Sequence, residues 1–106
     1  MSAESLGLSS EDLGVLLVLL DRYLPEAEVW AFGSRVQGKG RPFSDLDLAI
    51  IQEAPIDVHT KAELRYQLSE SSLPIRIDLV EWSRTDPEFR EAIRRNHVRI
   101  KRARTA

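Results

Sequence analysis

Residues 45–51, Asp45-Leu46-Asp47-Leu48-Ala49-Ile50-Ile51, decide how this chain is read. Leu46, Leu48 and Ile50 alternate with Asp45, Asp47, Ala49 and Ile51, which is the two-residue period of a β-strand turning one face to a core. Asp45 and Asp47 therefore leave the same face, with backbone positions roughly 6.5 to 7 Å apart. Carboxylates that close repel, and the repulsion raises a pKa unless a cation sits between them. An oxygen-only donor set of this kind suits Mg²⁺ or Mn²⁺ rather than zinc.

A second strand of the same pattern lies downstream. In Ile75-Arg76-Ile77-Asp78-Leu79-Val80 the residues Ile75, Ile77 and Leu79 share one face, and Arg76, Asp78 and Val80 the other. Asp78 thus opposes an apolar set just as Asp45 and Asp47 do. If the two strands are close in one sheet, the three acids converge. Three convergent carboxylates are what two-metal phosphoryl or nucleotidyl transfer requires: one ion activates an attacking hydroxyl, the other holds the triphosphate and its leaving pyrophosphate.

Upstream, Glu28-Val29-Trp30-Ala31-Phe32 is a short β-prone run that ends on Gly33-Ser34, eleven residues before Asp45 when counted from Ser34. Gly lets the backbone approach a phosphate, and a helical turn over Ser34 to Gln37 would present N–H groups and the Ser hydroxyl to negative charge. Arg35, Lys39 and Arg41 supply positive charge in the same loop. Gly38-Lys39-Gly40 superficially looks like a P-loop, but Arg41 stands where that pattern needs Ser or Thr, and the P-loop reading fails.

Helices complete the pattern. Ser9 and Ser10 before Glu11 and Asp12 mark a start, with Leu13, Leu16, Leu17, Leu20 and Leu24 on one face and Pro25 as the stop. A second helix is expected from His59 to about Ser71, and a third opens at Asp86-Pro87 and runs through Phe89, Ala92 and Ile93. Val98 and Ile100 alternate with His97, Arg99 and Lys101, which allows a short edge strand before a frayed tail. The order α-β-turn-β-α-β-α predicts an α/β (α+β) domain, a small mixed sheet flanked by helices.

Composition sets the limits. The chain has 106 residues, 42% of them hydrophobic and 30% charged, and this is the make-up of one globular domain over 1–106. It leaves little room for a separate substrate-recognition domain. With no Cys there is no disulfide framework, thiolate zinc site or Cys nucleophile. The longest apolar stretch, Val15 to Leu20, is six residues against the ~20 that span a bilayer, so no membrane association is expected. Met1-Ser2-Ala3-Glu4 lacks the basic and apolar regions of an export signal, and a cytoplasmic location is the expectation.

Charge is unevenly spread. From Arg94 onward there are six Arg or Lys and no acid, so residues 1–93 carry nine basic against seventeen acidic side chains, a formal −8. An acidic body repels nucleic acid, which argues against direct nucleic-acid binding. The basic C-terminal tail, 93–106, reads as a solvated end or a docking segment for an acidic partner or RNA.

Gly33-Ser34, nine intervening residues, then Ser44-Asp45-Leu46-Asp47-Leu48 resembles the Gly-Ser-x(n)-Asp-x-Asp signature of the DNA polymerase β nucleotidyltransferase superfamily. The chain is most similar to its minimal nucleotidyltransferases, stand-alone domains of about this length. The likeness runs from the first helix to the last, and Ile75 to Val80 matches the strand bearing the third acid. The resemblance implies the polymerase β-like fold, Gly33 and Ser34 on the nucleotide's phosphates with Arg35 and Arg41 near them, and Asp45, Asp47 and Asp78 as catalytic magnesium ligands. Val36-Gln37 departs from the Ala-Arg of many relatives, which leaves Arg41 to supply the missing cation. Minimal nucleotidyltransferases are commonly encoded beside a small helical HEPN-domain protein, a ribonuclease toxin, which they neutralise as antitoxin. Some do so by moving AMP from ATP to a tyrosine of the toxin.

The expected activity is therefore metal-dependent transfer of a nucleoside monophosphate, AMP from ATP, to a hydroxyl of a HEPN-domain toxin. Two alternatives stay open: a non-catalytic antitoxin subunit acting by complex formation, and aminoglycoside-type transfer to a small molecule. Self-association is also open. Blander readings accompany the sharp ones: Asp45 and Asp47 capping the turn before a strand, Asp78 paired with Arg76, His59 flanking a helix, His97 on a surface edge, and Trp30 and Trp82 as core or rim aromatics.

Overall fold

The computed structural model describes residues 6–38 and 44–104. Apolar alternation builds a four-stranded mixed sheet from β1 (Glu28–Phe32), β2 (Leu46–Ile51), β3 (Ile77–Glu81) and β4 (His97–Lys101), in the order β3-β2-β1-β4. β1 runs antiparallel to both β2 and β4. β2 and β3 are parallel, so the chain between them must cross over, and α2 (Val58–Glu70) is that crossover.

Two layers of side chains cover the sheet. Val29 and Ala31 of β1, Leu46, Leu48 and Ile50 of β2 and Leu79 of β3 face α1 (Ser10–Tyr23) and α2, and they join Leu16, Leu20 and Leu64 in the main core. The opposite face carries Phe32 and Ala49 against Ile93 of α3 (Pro87–Arg95), with Trp30, Ile51, Val80 and Trp82 packed around them. The two-face reading of β2 and β3 holds at each of these positions.

Each helix starts on an acceptor side chain that takes an orphan N–H of its first turn. Ser9 accepts from Asp12 N–H at 3.0 Å, Asp57 from Thr60 N–H at 3.1 Å and Asp86 from Phe89 N–H at 2.8 Å. Asp57 caps α2 two residues ahead of the expected start at His59. Leu19, outside the expected apolar face of α1, is buried with Leu16 and Leu20. β2 begins at Leu46, leaving Asp45 just ahead of it, and β3 runs from Ile77 to Glu81 rather than from Ile75 to Val80. A single 3-10 turn at Trp82–Arg84, unexpected from the sequence, joins β3 to α3.

The basic tail is not frayed up to Arg104. Lys101 Nζ donates to Pro25 O at 3.1 Å and to Ala27 O at 2.8 Å, while Arg104 N–H donates to Pro25 O at 3.0 Å and its guanidinium pairs with Asp21. Arg94 and Arg95 pair with Glu91, and Arg99 with Glu28. Much of the tail's charge is thus met by acids of the same chain. No described helix is long and apolar enough to cross a membrane.

Candidate active site

The site forms where three strand ends meet on the α3 face. In the parallel register Asp47 of β2 stands opposite Asp78 of β3, and in the antiparallel register Phe32 of β1 stands opposite Asp47. Adjacent strands are about 4.8 Å apart and opposed residues share a face, so the two carboxylates project side by side. Both are partly buried, whereas Asp45 is exposed.

Gly33 follows Phe32 directly and is therefore held beside Asp47. Its φ is +86°, a left-handed conformation open mainly to glycine, and a Cβ built on it would run into Asp47 Oδ2. The missing side chain is what lets the turn close over the carboxylate. Beyond it the chain tightens into a turn, with Val36 N–H and Gln37 N–H both donating to Gly33 O at 3.1 and 3.2 Å. Ser34 is exposed on that turn.

Burial pushes the Asp47 carboxyl above its ordinary value, and the neighbouring charges of Asp78 and Asp45 push it further. The charges of Asp78 and Asp45 are thus both felt at Asp47.

Arg35 takes a place the sequence did not indicate. Instead of facing outward as a phosphate ligand, it is buried to 7% exposure; its Nε donates to Ser44 O at 2.9 Å and its Nη1 to Leu6 O at 2.9 Å. The guanidinium ties the segment before α1 to the residue that precedes Asp45. Gly7, at φ +72°, leaves room for it, since a Cβ there would approach Arg35 Nη1 to 2.7 Å. The only sequence signal was an Arg in a turn, and its carbonyl partners lie up to 29 residues away. Arg41 and Lys39 lie outside the described residues.

An all-carboxylate donor set with one raised pKa fits a hard divalent cation, whose charge relieves the repulsion. Among the described residues, no three His, Cys, Asp or Glu side chains already stand close enough around one point to cage an ion. A bound ion here would take further oxygen ligands from elsewhere, as magnesium does from substrate phosphates.

The sequence profile of the family described as polymerase beta, nucleotidyltransferase matches residues 19–105, which include the turn at Gly33 and all three acids. The chain belongs to this polymerase beta nucleotidyltransferase family. It is 46% identical over 99 residues, 93% of its length and 87% of the relative's, to a probable protein adenylyltransferase MntA of Haemophilus influenzae. Among solved structures, a toxin–antitoxin assembly with AMP-PNP contains a chain matched at TM-score 0.71 and 22% identity, over 87% of this nucleotidyltransferase and 74% of that chain. A tri-AMPylated HEPN toxin of Shewanella oneidensis in complex with its MNT antitoxin is matched at TM-score 0.65 and 19% identity, over 88% and 71%. At these identities the structural matches establish the nucleotidyltransferase fold.

Proposed function

We propose that this nucleotidyltransferase moves AMP from ATP to a hydroxyl of a protein partner, a HEPN-domain toxin, and acts as its antitoxin. The observation that carries the reading is the pairing of Asp47 and Asp78 across parallel strands with Gly33 closed against Asp47. The relative from Haemophilus influenzae, by its name a protein adenylyltransferase, supports adenylyl transfer. The toxin complexes among the structural matches support the partner class. Use of ATP inside the cell agrees with the cytoplasmic expectation.

In this reading Gly33 and Ser34 lie against the triphosphate, and Asp45, Asp47 and Asp78 hold Mg²⁺ or Mn²⁺. When bound, the divalent ions neutralise the phosphates and acidify the attacking hydroxyl. Asp47, between the turn and Asp78, sets the spacing between the phosphate side and the acceptor side. Asp78, on a separate strand, orients the attacking hydroxyl. Arg35 fixes the backbone on which Asp45 sits and so positions the site without touching the nucleotide.

A second reading, neutralisation by complex formation alone, draws on the open arrangement of the acids and the inward turn of Arg35. Incubation with labelled ATP, magnesium and the protein encoded by the neighbouring gene, expected to be a HEPN-domain toxin, separates the two. Label on the partner, lost with Asp47→Asn and with chelator, supports transfer. No label with any of the four nucleotides, with toxin still neutralised, supports complex formation.

A further inference from the structure

The outer side of β3 offers a route by which an acceptor reaches the site. β3 is an edge strand, and no described strand pairs with its outer side. Between that edge and the C-terminal half of α2 lies a cleft of about 410 Å³. Its floor includes the buried Leu68 and half-buried Ile75, its rim carries the exposed Arg65, Ser69 and Arg76, and Asp78 is part of its lining. The cleft therefore opens onto one of the three acids.

Charge distinguishes this flank from the rest of the molecule. Residues 1–93 have a formal charge of −8, yet Lys61, Arg65, Arg76 and Arg84 gather along α2, β3 and the turn after it. Glu81, buried at the far end of this flank, takes Lys61 at 2.7 Å and Arg84 at 3.4 Å. Among the described residues, no carboxylate lies within ion-pair distance of Arg65 or Arg76. Both are exposed on the rim of the cleft.

The third consideration is the direction of the reaction. Along the strand ends the order is Gly33 at the end of β1, Asp47 on β2 and Asp78 on β3, with the cleft past the β3 edge on the side of α2. Displacement at phosphorus proceeds with the attacking and leaving oxygens in line on opposite sides. With the triphosphate on the Gly33 side, the attacking hydroxyl enters from the Asp78 side, which is where the cleft opens.

We infer that the cleft between α2 and the β3 edge is the acceptor-docking groove, and that Arg65 and Arg76 select a hydroxyl-bearing protein segment flanked by acidic side chains. The inference rests on the proposed transfer and names its substrate class. The acceptor oxygen bonds to the α-phosphorus, the bond from that phosphorus to the bridging oxygen breaks, pyrophosphate leaves, and the hydroxyl proton passes to water. Acidic flanks match the two cations. The apolar floor accepts the body of the side chain that carries the hydroxyl.

The test uses the full chain with the HEPN-domain protein as acceptor. Arg65→Glu and Arg76→Glu, together, are expected to raise KM for the acceptor by about tenfold or more, with affinity for a fluorescent ATP analogue and the circular dichroism spectrum unchanged. Separately, Arg65→Lys and Arg76→Lys allow zero-length carbodiimide coupling. The expected product links position 65 or 76 to an Asp or Glu within a few residues of the adenylylated hydroxyl, as read by mass spectrometry. An unchanged acceptor KM overturns the inference, as does coupling only to distant sites. Weakened binding of the ATP analogue would assign the groove to the nucleotide and also overturns it, as would preferential binding of single-stranded RNA to this flank. If the wild-type chain transfers no label to the acceptor, the reading on which the inference rests fails instead, and the two failures are distinct.

Discussion

Asp47 and Asp78 face each other across neighbouring parallel strands, and neither is offset by a salt bridge among the described residues. A fold seldom sets two partly buried acids side by side for stability, since like charges at that spacing repel. The arrangement works against the folded state and in favour of a cationic ligand.

Replacing Asp47 by Asn is therefore expected to separate stability from activity. Transfer should fall on the order of a thousandfold, while the melting temperature rises. The sign follows from Asp47 having a folded-state pKa above its ordinary value of 3.8, through burial first and then Asp78 and Asp45. Below that ordinary value the carboxyl is protonated in both states and costs nothing; as pH rises through the folded pKa the penalty becomes complete. The melting-temperature gain of the Asn variant should thus be full near neutrality and shrink toward pH 4. A gain that does not change with pH would contradict this account.

Gly33→Ala tests the closed turn. A left-handed conformation costs a side-chain-bearing residue about 1–2 kcal/mol, and the new methyl also displaces the Asp47 carboxylate. Initial rates should drop about a hundredfold, the usual scale for misplacing a reacting group by an ångström. Urea denaturation should show only the small stability loss.

Arg35→Ala should act on stability before it acts on nucleotide binding. Leu6 O and Ser44 O would lose a charged donor, at a cost of about 2–3 kcal/mol, and the turnover rate would fall as the segment before Asp45 loosens. Affinity for an ATP analogue, measured at a temperature where the variant is folded, should change little. A large loss of affinity with unchanged stability would instead return Arg35 to the phosphate-binding role the sequence first suggested.

Lys61→Met probes the buried acid at the far end of β3. Burial raises the Glu81 carboxyl, but the Lys61 ammonium, the Ile56 N–H at 2.8 Å and Arg84 outweigh it and hold its pKa below the ordinary 4.5. A lowered folded pKa contributes stability above the ordinary value and loses it as pH falls through the folded one. The variant should be less stable by about 2 kcal/mol near neutrality, with the deficit closing as pH falls below the ordinary 4.5 and through the lower folded-state pKa of Glu81. Paired denaturation curves at the two pH values would show it.

Most of the sheet was legible because alternation is a strong signal wherever one face is buried. Leu46, Leu48 and Ile50 could only face a core, and that choice fixed where Asp47 points. The same parity placed Asp78, so the convergence of these two acids needed only the strands to be neighbours. Gly33 was legible as a turn, though not as a residue pressed against Asp47, because that contact depends on the pairing of β1 with β2. Arg35 was misread for a physical reason: a cation in a loop is ordinarily solvated, and the carbonyls that draw it inward belong to residues distant in sequence. The expected edge strand at His97–Lys101 is present, but the chain after it is not frayed up to Arg104, since Pro25 O and Ala27 O offer Lys101 acceptors that no local pattern reveals. Trp82–Arg84 escaped notice because three residues of 3-10 turn leave no period to detect.

The clamp from Arg35 to Leu6 makes the segment ahead of α1 a mechanical handle on the turn after Gly33. Leu6 is fully enclosed in the main core, so a load applied just upstream, by a fusion or an affinity tag, is transmitted through one guanidinium to the backbone beside Asp45. An N-terminal extension is therefore expected to lower turnover, which assays before and after its removal would show.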